Sequence, residues 1–129
     1  MLKTCVVCED DKPLDDFNLE KAGKFGRRGA CKICERLRRK DYNRKELYGV
    51  TPEEYRRLVA EQNGLCWICQ KEPSNGEDLC VDHCHATDEV RGLLCKRCNL
   101  AIGILGDTAE KLSRAVDYLS RDTSSLLKG

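Results

Sequence analysis

Four Cys-x-x-Cys pairs, at Cys5–Cys8, Cys31–Cys34, Cys66–Cys69 and Cys95–Cys98, constrain this chain more than any other feature. Two cysteines separated by two residues can grip one metal ion from a single backbone turn, and two such pairs complete a tetrahedral four-thiolate site. Taken in order, the pairs predict two structural zinc sites, one closing the first 34 residues and one tying residue 66 to residue 98. Aromatic residues make up only 5% of the 129 positions, so the core is expected to be slight and to need metal or disulfide staples. The sequence shows no apolar run of signal-peptide or membrane-span length, which points to a reducing cytoplasm and away from a membrane. In that compartment, cysteine pairs with this spacing read as metal ligands rather than as disulfides.

The formal charge of +1 hides two opposite tendencies. Eight thiolates on two zinc ions would move the folded charge to about −3, since the ligands must be deprotonated. The local distribution differs: residues 27–45 hold Arg27, Arg28, Lys32, Arg36, Arg38, Arg39, Lys40, Arg44 and Lys45 against only Glu35 and Asp41, a net of +7. That density suits the phosphate backbone of DNA, with a solubilising helix as the plainer alternative.

The expected organisation has three parts. Residues 1–47 form an N-terminal four-cysteine zinc module followed by a basic helix from about Cys31 to Leu47, whose thin face is marked by Ile33, Leu37 and Asp41 or Tyr42. Residues 48–122 form a second zinc-stapled unit, and 123–129 a flexible tail. The second unit opens at Thr51-Pro52-Glu53-Glu54, where a threonine cap, a proline in the first turn and a glutamate three positions on announce a helix. Tyr55, Leu58 and Val59 supply its buried stripe, and Asn63-Gly64 ends it. The Cys66–Cys69 knuckle follows, with Trp67 expected in the core. Leu79–His83 alternates as a strand, a turn through Ala86–Glu89 returns along Val90–Leu94, and Asn99 is expected to open a helix. A last amphipathic helix, from about Asp107, carries Leu112, Ala115, Val116 and Leu119 on one face; that stripe suits core, with a dimer seam as the alternative. The fold class is therefore α+β, strand–turn–strand–helix with flanking helices.

This order brings the end of the first strand and the start of the helix toward one cavity. Asp82 and Asn99 offer oxygen donors, the kind that Mg²⁺ or Mn²⁺ takes together with water and substrate phosphate. His83, with an ordinary pKa of about 6.5, can take a proton from water at neutral pH. Zinc sites made of four thiolates are closed and cannot activate water, so their expected task is structural. These roles together suffice for phosphodiester hydrolysis.

Several blocks of sequence carry a resemblance. Tyr48-Gly49-Val50-Thr51-Pro52-Glu53-Glu54-Tyr55, Leu65-Cys66-Trp67-Ile68-Cys69, Val81-Asp82-His83-Cys84-His85 and Arg91-Gly92-Leu93-Leu94-Cys95 through Cys98-Asn99 are similar to the recombination endonuclease VII family. The similarity covers about residues 48–120. That family belongs to the His-Me finger (HNH-type) nucleases, so the resemblance implies a ββα-metal core and cleavage of DNA. It implies His83 as general base, Asp82 and Asn99 as ligands of one catalytic Mg²⁺ or Mn²⁺, and Cys66, Cys69, Cys95 and Cys98 as zinc ligands. His85 matches the second histidine of the family's Asp-His-Asp-His motif and is taken as a site residue. Cys84 departs from that motif, leaving no role for an acid at that position. A phage-borne gene would place the protein in the host cytoplasm, acting on DNA as a monomer or a homodimer. The rival reading is a non-catalytic zinc module that binds nucleic acid or protein.

Overall fold

The computed structural model describes residues 1–127; Lys128 and Gly129, the end of the expected 123–129 tail, lie outside the described residues. The chain divides into two compact units, Met1–Pro52 and Glu53–Gly129.

In the first unit, strands β1 (Leu2–Thr4) and β2 (Asp11–Pro13) pair antiparallel, and helix α1 (Lys32–Tyr48) follows a glycine-punctuated loop. The turn between the strands carries Cys5 and Cys8, and Cys31 and Cys34 sit at the entrance to α1. Cys31 is the N-cap residue, so the second cysteine pair and the first helical turn are one structural device. The core is very small: Phe17 and Ala30 with Cys5, Cys31 and Cys34. Lys3 is buried as well, its ammonium lying 5.3 Å from the centre of the Phe17 ring. The sides of α1 differ from expectation. Ile33 and Leu37 are each about half exposed, and the covered side runs through Cys34, Asp41, Arg44 and Tyr48. The reason is local. Cys34 must turn toward its three sulfur partners, and this rotates Ile33 outward.

The second unit begins with α2 (Pro52–Glu61), whose Tyr55 is buried and donates its hydroxyl hydrogen to the Leu79 carbonyl at 2.7 Å. Strands β3 (Cys80–His83) and β4 (Val90–Leu94) form an antiparallel hairpin, and α3 (Lys96–Ile104) packs on both, giving the order ββα. Gln62, just past α2, fastens that helix to the hairpin. Its amide donates to the Leu65 and Leu93 carbonyls and accepts from the Leu93 N–H, all at 2.9 Å. The fold is mixed α+β, as the sequence pattern implied.

Three expectations fail in this unit. Helix α3 begins at Lys96, capped by the Cys95 sulfur, and not at Asn99; the ligand itself supplies the cap. Trp67 is 68% exposed rather than core. Helix α4 (Ala109–Ser120) forms behind a Thr108 cap, but its stripe is not core: Leu112 and Ala115 are half-buried, Val116 and Leu119 exposed. A two-stranded sheet offers little apolar area, and α3 already packs on both of its strands.

Candidate active site and metal centres

The first metal cluster brings together Cys5, Cys8, Cys31 and Cys34, and the second Cys66, Cys69, Cys95 and Cys98; within each, the four sulfurs lie within 4.8 Å of one another. A tetrahedron of four sulfurs around zinc, with bonds of about 2.3 Å, has edges of about 3.8 Å, and Cys69 and Cys95 stand 3.9 Å apart. Backbone N–H groups already point at these sulfurs, from Val7 and Cys31 to Cys5 at 3.4 and 3.2 Å, and from Cys98 to Cys95 at 3.4 Å. Burial raises the Cys66 thiol, yet the N–H groups of Cys95, Cys69 and Ile68 outweigh it and bring it down to about 6. Burial and the neighbouring cysteines push Cys98 up to about 12. Four thiolates can therefore share this space at neutral pH only around a cation, and the donor set is the one zinc prefers. Both clusters could hold zinc.

The candidate catalytic residues gather around an irregularity of the hairpin. Asp82 pairs with Gly92 and His83 with Val90, so Arg91 is the extra residue of a bulge in β4. A bulge re-aims the side chain at its centre. Here Arg91 turns onto Asp82, its Nε donating to Oδ2 at 2.8 Å and its Nη2 to Oδ1 at 3.0 Å. Gly92 completes the bulge with φ of +152°, and a side chain there would also press on Gln62 Oε1. Asp82 is only 6% exposed, so this two-pronged bond is what compensates its desolvated charge.

Sequence reasoning missed one member of the site. Asp107, in the turn between α3 and α4, accepts from Arg91 Nη2 at 2.6 Å through Oδ1 and lies 2.7 Å from His85 Nδ1 through Oδ2. Its own backbone adopts φ of 61°, and its N–H bonds the Ile102 carbonyl at 2.8 Å, which locks the turn. Arg91 and His85 hold the Asp107 carboxyl at about 2, and Asp107 in turn raises the His85 imidazole. Only the αL turn residues Gly106-Asp107 could have flagged it, and they read equally well as a plain helix end. His83 lies beside His85, ring centres 4.9 Å apart.

The structure thus links Asp82, Arg91, Asp107 and His85 in one chain of bonds, with His83 against its end. Asn99 sits in the first turns of α3, directly after Cys98, and its amide side chain hydrogen-bonds none of these groups among the described residues. Cys84 is half-buried, its thiol lowered first by the Thr87 hydroxyl; it joins neither cluster. A cavity of about 280 Å³ opens beside Asp82 and Arg91, walled by Trp67, Ile68, Leu93 and Leu112. Within the basic stretch 27–45, Arg27 pairs with Asp15, Arg28 with Glu35 and Arg44 with Asp41. Lys40 is half-buried, while Lys32, Arg36, Arg38, Arg39 and Lys45 are exposed. Among the described residues no helix is long and apolar enough to cross a membrane.

Known proteins share this arrangement of sequence. Two phage proteins are similar: the Gene 59 protein of Mycobacterium phage D29 is 48% identical over 75 residues, and that of Mycobacterium phage L5 44% over 73. The matches take in 57% and 56% of this chain but only 46% and 44% of those proteins, so the chain spans under half their length. Among solved structures, that of the ββα-Me type II restriction endonuclease Hpy99I aligns over 92% of this chain and 64% of that one, with a TM-score of 0.39 and 26% identity. The family model for recombination endonuclease VII matches residues 41–121, which hold α2, the second cysteine cluster, the bulged hairpin and α3. The chain belongs to the recombination endonuclease VII family.

Proposed function

We propose that this chain is a divalent-metal-dependent DNA endonuclease with its reaction centre at the end of β3. The observation that supports this most is the bulged hairpin itself. Within the segment matched by the family, it sets the histidine pair His83 and His85 beside a buried carboxylate and a guanidinium. His83 takes the proton of the attacking water, whose oxygen bonds to phosphorus while the bond from phosphorus to the 3′ oxygen breaks. The leaving oxygen gains a proton from solvent, giving a 5′-phosphate and a 3′-hydroxyl. His85, whose charged form Asp107 favours, and Arg91 serve the phosphate as hydrogen-bond donors. Asp82 and Asn99 have the donor chemistry to hold Mg²⁺ or Mn²⁺, which when bound neutralises charge developing on the phosphoryl group and the leaving oxygen. Asp82 has both oxygens bonded to Arg91, so holding the ion means loosening that pair and freeing the guanidinium for substrate. Zinc on the two cysteine clusters secures the hairpin and the N-terminal unit, and the basic stretch 27–45 supplies the grip on DNA. The host cytoplasm is the expected place of action.

The second reading, a zinc-dependent binding module without catalysis, is favoured by one observation, the occupied state of the Asp82 oxygens. Plasmid cleavage separates the two. With Mg²⁺ the wild type should nick or linearise supercoiled DNA, and His83→Ala should abolish this while retaining two zinc ions per chain. A His83→Ala protein that cuts at a near wild-type rate ends the assignment of the base. A wild type that neither cuts nor binds Mg²⁺ or Mn²⁺ leaves the binding module.

A further inference from the structure

The first unit carries a structured cationic ridge that accounts for only part of the basic run. At 100° per residue, Lys32, Arg36, Arg39 and Asn43 of α1 fall within an arc of about 60° and extend about 16 Å along the axis. All four are exposed, and no acid lies within the arc; Glu46 stands at its edge one turn further on. Lys32, Arg36 and Arg39 have no close ion pair among the described residues, in contrast to Arg27, Arg28 and Arg44, although the Arg39 charge helps to lower the Glu35 carboxyl beside the arc. The covered side of the helix, through Cys34, Asp41 and Tyr48, lies opposite. Arg38 and Lys45 are exposed too, but they project from the flank, more than 90° away by the same count.

The ridge is also held in place. Cys31 caps α1 and Cys34 lies in its first turn, so two ligands of the first cluster fix the helix where the ridge starts. Cations mounted on an anchored helix lose less freedom on binding than the same charges on a loose segment.

We infer that this face of α1, through Lys32, Arg36 and Arg39 with Asn43 as a neutral hydrogen-bonding partner, binds the phosphate backbone of duplex DNA. Arg27, Arg28 and Arg44 serve the fold of the unit, and Arg38 and Lys45 stand clear of the duplex. The inference rests on the reading of the chain as a DNA nuclease for its choice of partner and narrows that reading to one face.

Salt titration tests it, because each neutralised phosphate contributes about 0.9 to the slope of log affinity against log salt concentration. Binding of the zinc-loaded full chain to a short fluorescent duplex would be followed in magnesium-free buffer. The triple variant K32Q/R36Q/R39Q should lose about 3 from that slope, and Arg36→Gln alone about 1. Between about 50 and 200 mM salt, affinity should therefore fall roughly 40-fold more for the wild type than for the triple variant. The flank variant R38Q/K45Q should keep the wild-type slope. An unchanged slope in the triple variant, an equal loss in the flank variant, or no duplex binding by the wild type would each overturn the inference. A slope carried by the ridge in a protein that cuts no DNA would sustain this inference and remove the nuclease reading.

Discussion

Replacing Arg91 with alanine strips the cation from a carboxylate that has almost no access to water. Asp82 accepts two hydrogen bonds from that guanidinium, at 2.8 and 3.0 Å, and its side chain is 8% exposed. Removing one partner of a buried pair leaves the other charge desolvated, a loss of about 3–5 kcal/mol when both are fully enclosed. The Arg91 side chain is 34% exposed, so water reaches the vacated space and the expected cost falls to about 2–3 kcal/mol. For a unit of this size that lowers the midpoint of thermal unfolding by roughly 10–20 °C. Trp67 is the only tryptophan and lines the same cavity as Arg91, so its fluorescence reports this unit directly during urea unfolding of the zinc-saturated, magnesium-free protein. Arg91→Lys keeps the charge but not the two-pronged bond, and should recover about half of the loss. Adding Asp82→Asn to Arg91→Ala removes the stranded charge, so the two changes together should cost about 2 kcal/mol less than their sum. Additivity within about 0.5 kcal/mol, or a cost below about 1 kcal/mol for Arg91→Ala alone, would refute the claim that the bulge exists to hold this pair.

Three further outcomes follow from the same contacts. The Asp107 carboxylate favours the charged form of His85, so in an NMR titration His85 should have its midpoint above 6.5, returning toward that value in Asp107→Asn; the stability this pair contributes is complete between about pH 4 and 6.5, fades as pH rises through the raised His85 value, and is lost again as pH falls toward about 2, where the Asp107 carboxyl takes up its proton. Gln62→Ala should destabilise the second unit by about 2–3 kcal/mol in urea unfolding, because the fully buried Leu93 loses the partner of its N–H. Chelation should release two zinc ions and abolish the circular-dichroism signal of both units, since zinc binding in small domains supplies on the order of 10 kcal/mol and the Phe17 and Leu93 cores are slight; a chelated chain that keeps its cooperative unfolding would show that metal is dispensable.

The parts of this molecule governed by short-range rules could be read from the sequence. The Cys-x-x-Cys spacing announced both clusters, and Thr51-Pro52-Glu53-Glu54 and Asn63-Gly64 marked the ends of α2. The alternation of Leu79–His83 and the turn that follows it marked the hairpin. What escaped depends on how a metal cluster orients its neighbours. A Cys-x-x-Cys turn points its sulfurs inward, so the two residues between them face out. Val6 and Val7, Ile33, and Trp67 and Ile68 are all exposed for this reason, whatever their hydropathy. Reading Trp67 as core, and Ile33 as marking the apolar face of α1, ignored that geometry. The α4 stripe misled differently, because periodicity shows that a helix has an apolar face and not that anything covers it. Asp107 was illegible because its role arises from a bulge that turns Arg91 toward it. That bulge leaves no mark in the sequence beyond a glycine at position 92.

The central claim is that Asp82 and Asn99 hold a catalytic cation beside His83. Anomalous diffraction from crystals grown with Mn²⁺ and a DNA duplex addresses it most directly. The account predicts one manganese bound to the Asp82 carboxylate and the Asn99 amide oxygen at about 2.1–2.2 Å, with Arg91 on a phosphate and zinc on each cysteine cluster. Manganese bound elsewhere, with Asp82 still clasped by Arg91 against bound DNA, would contradict it.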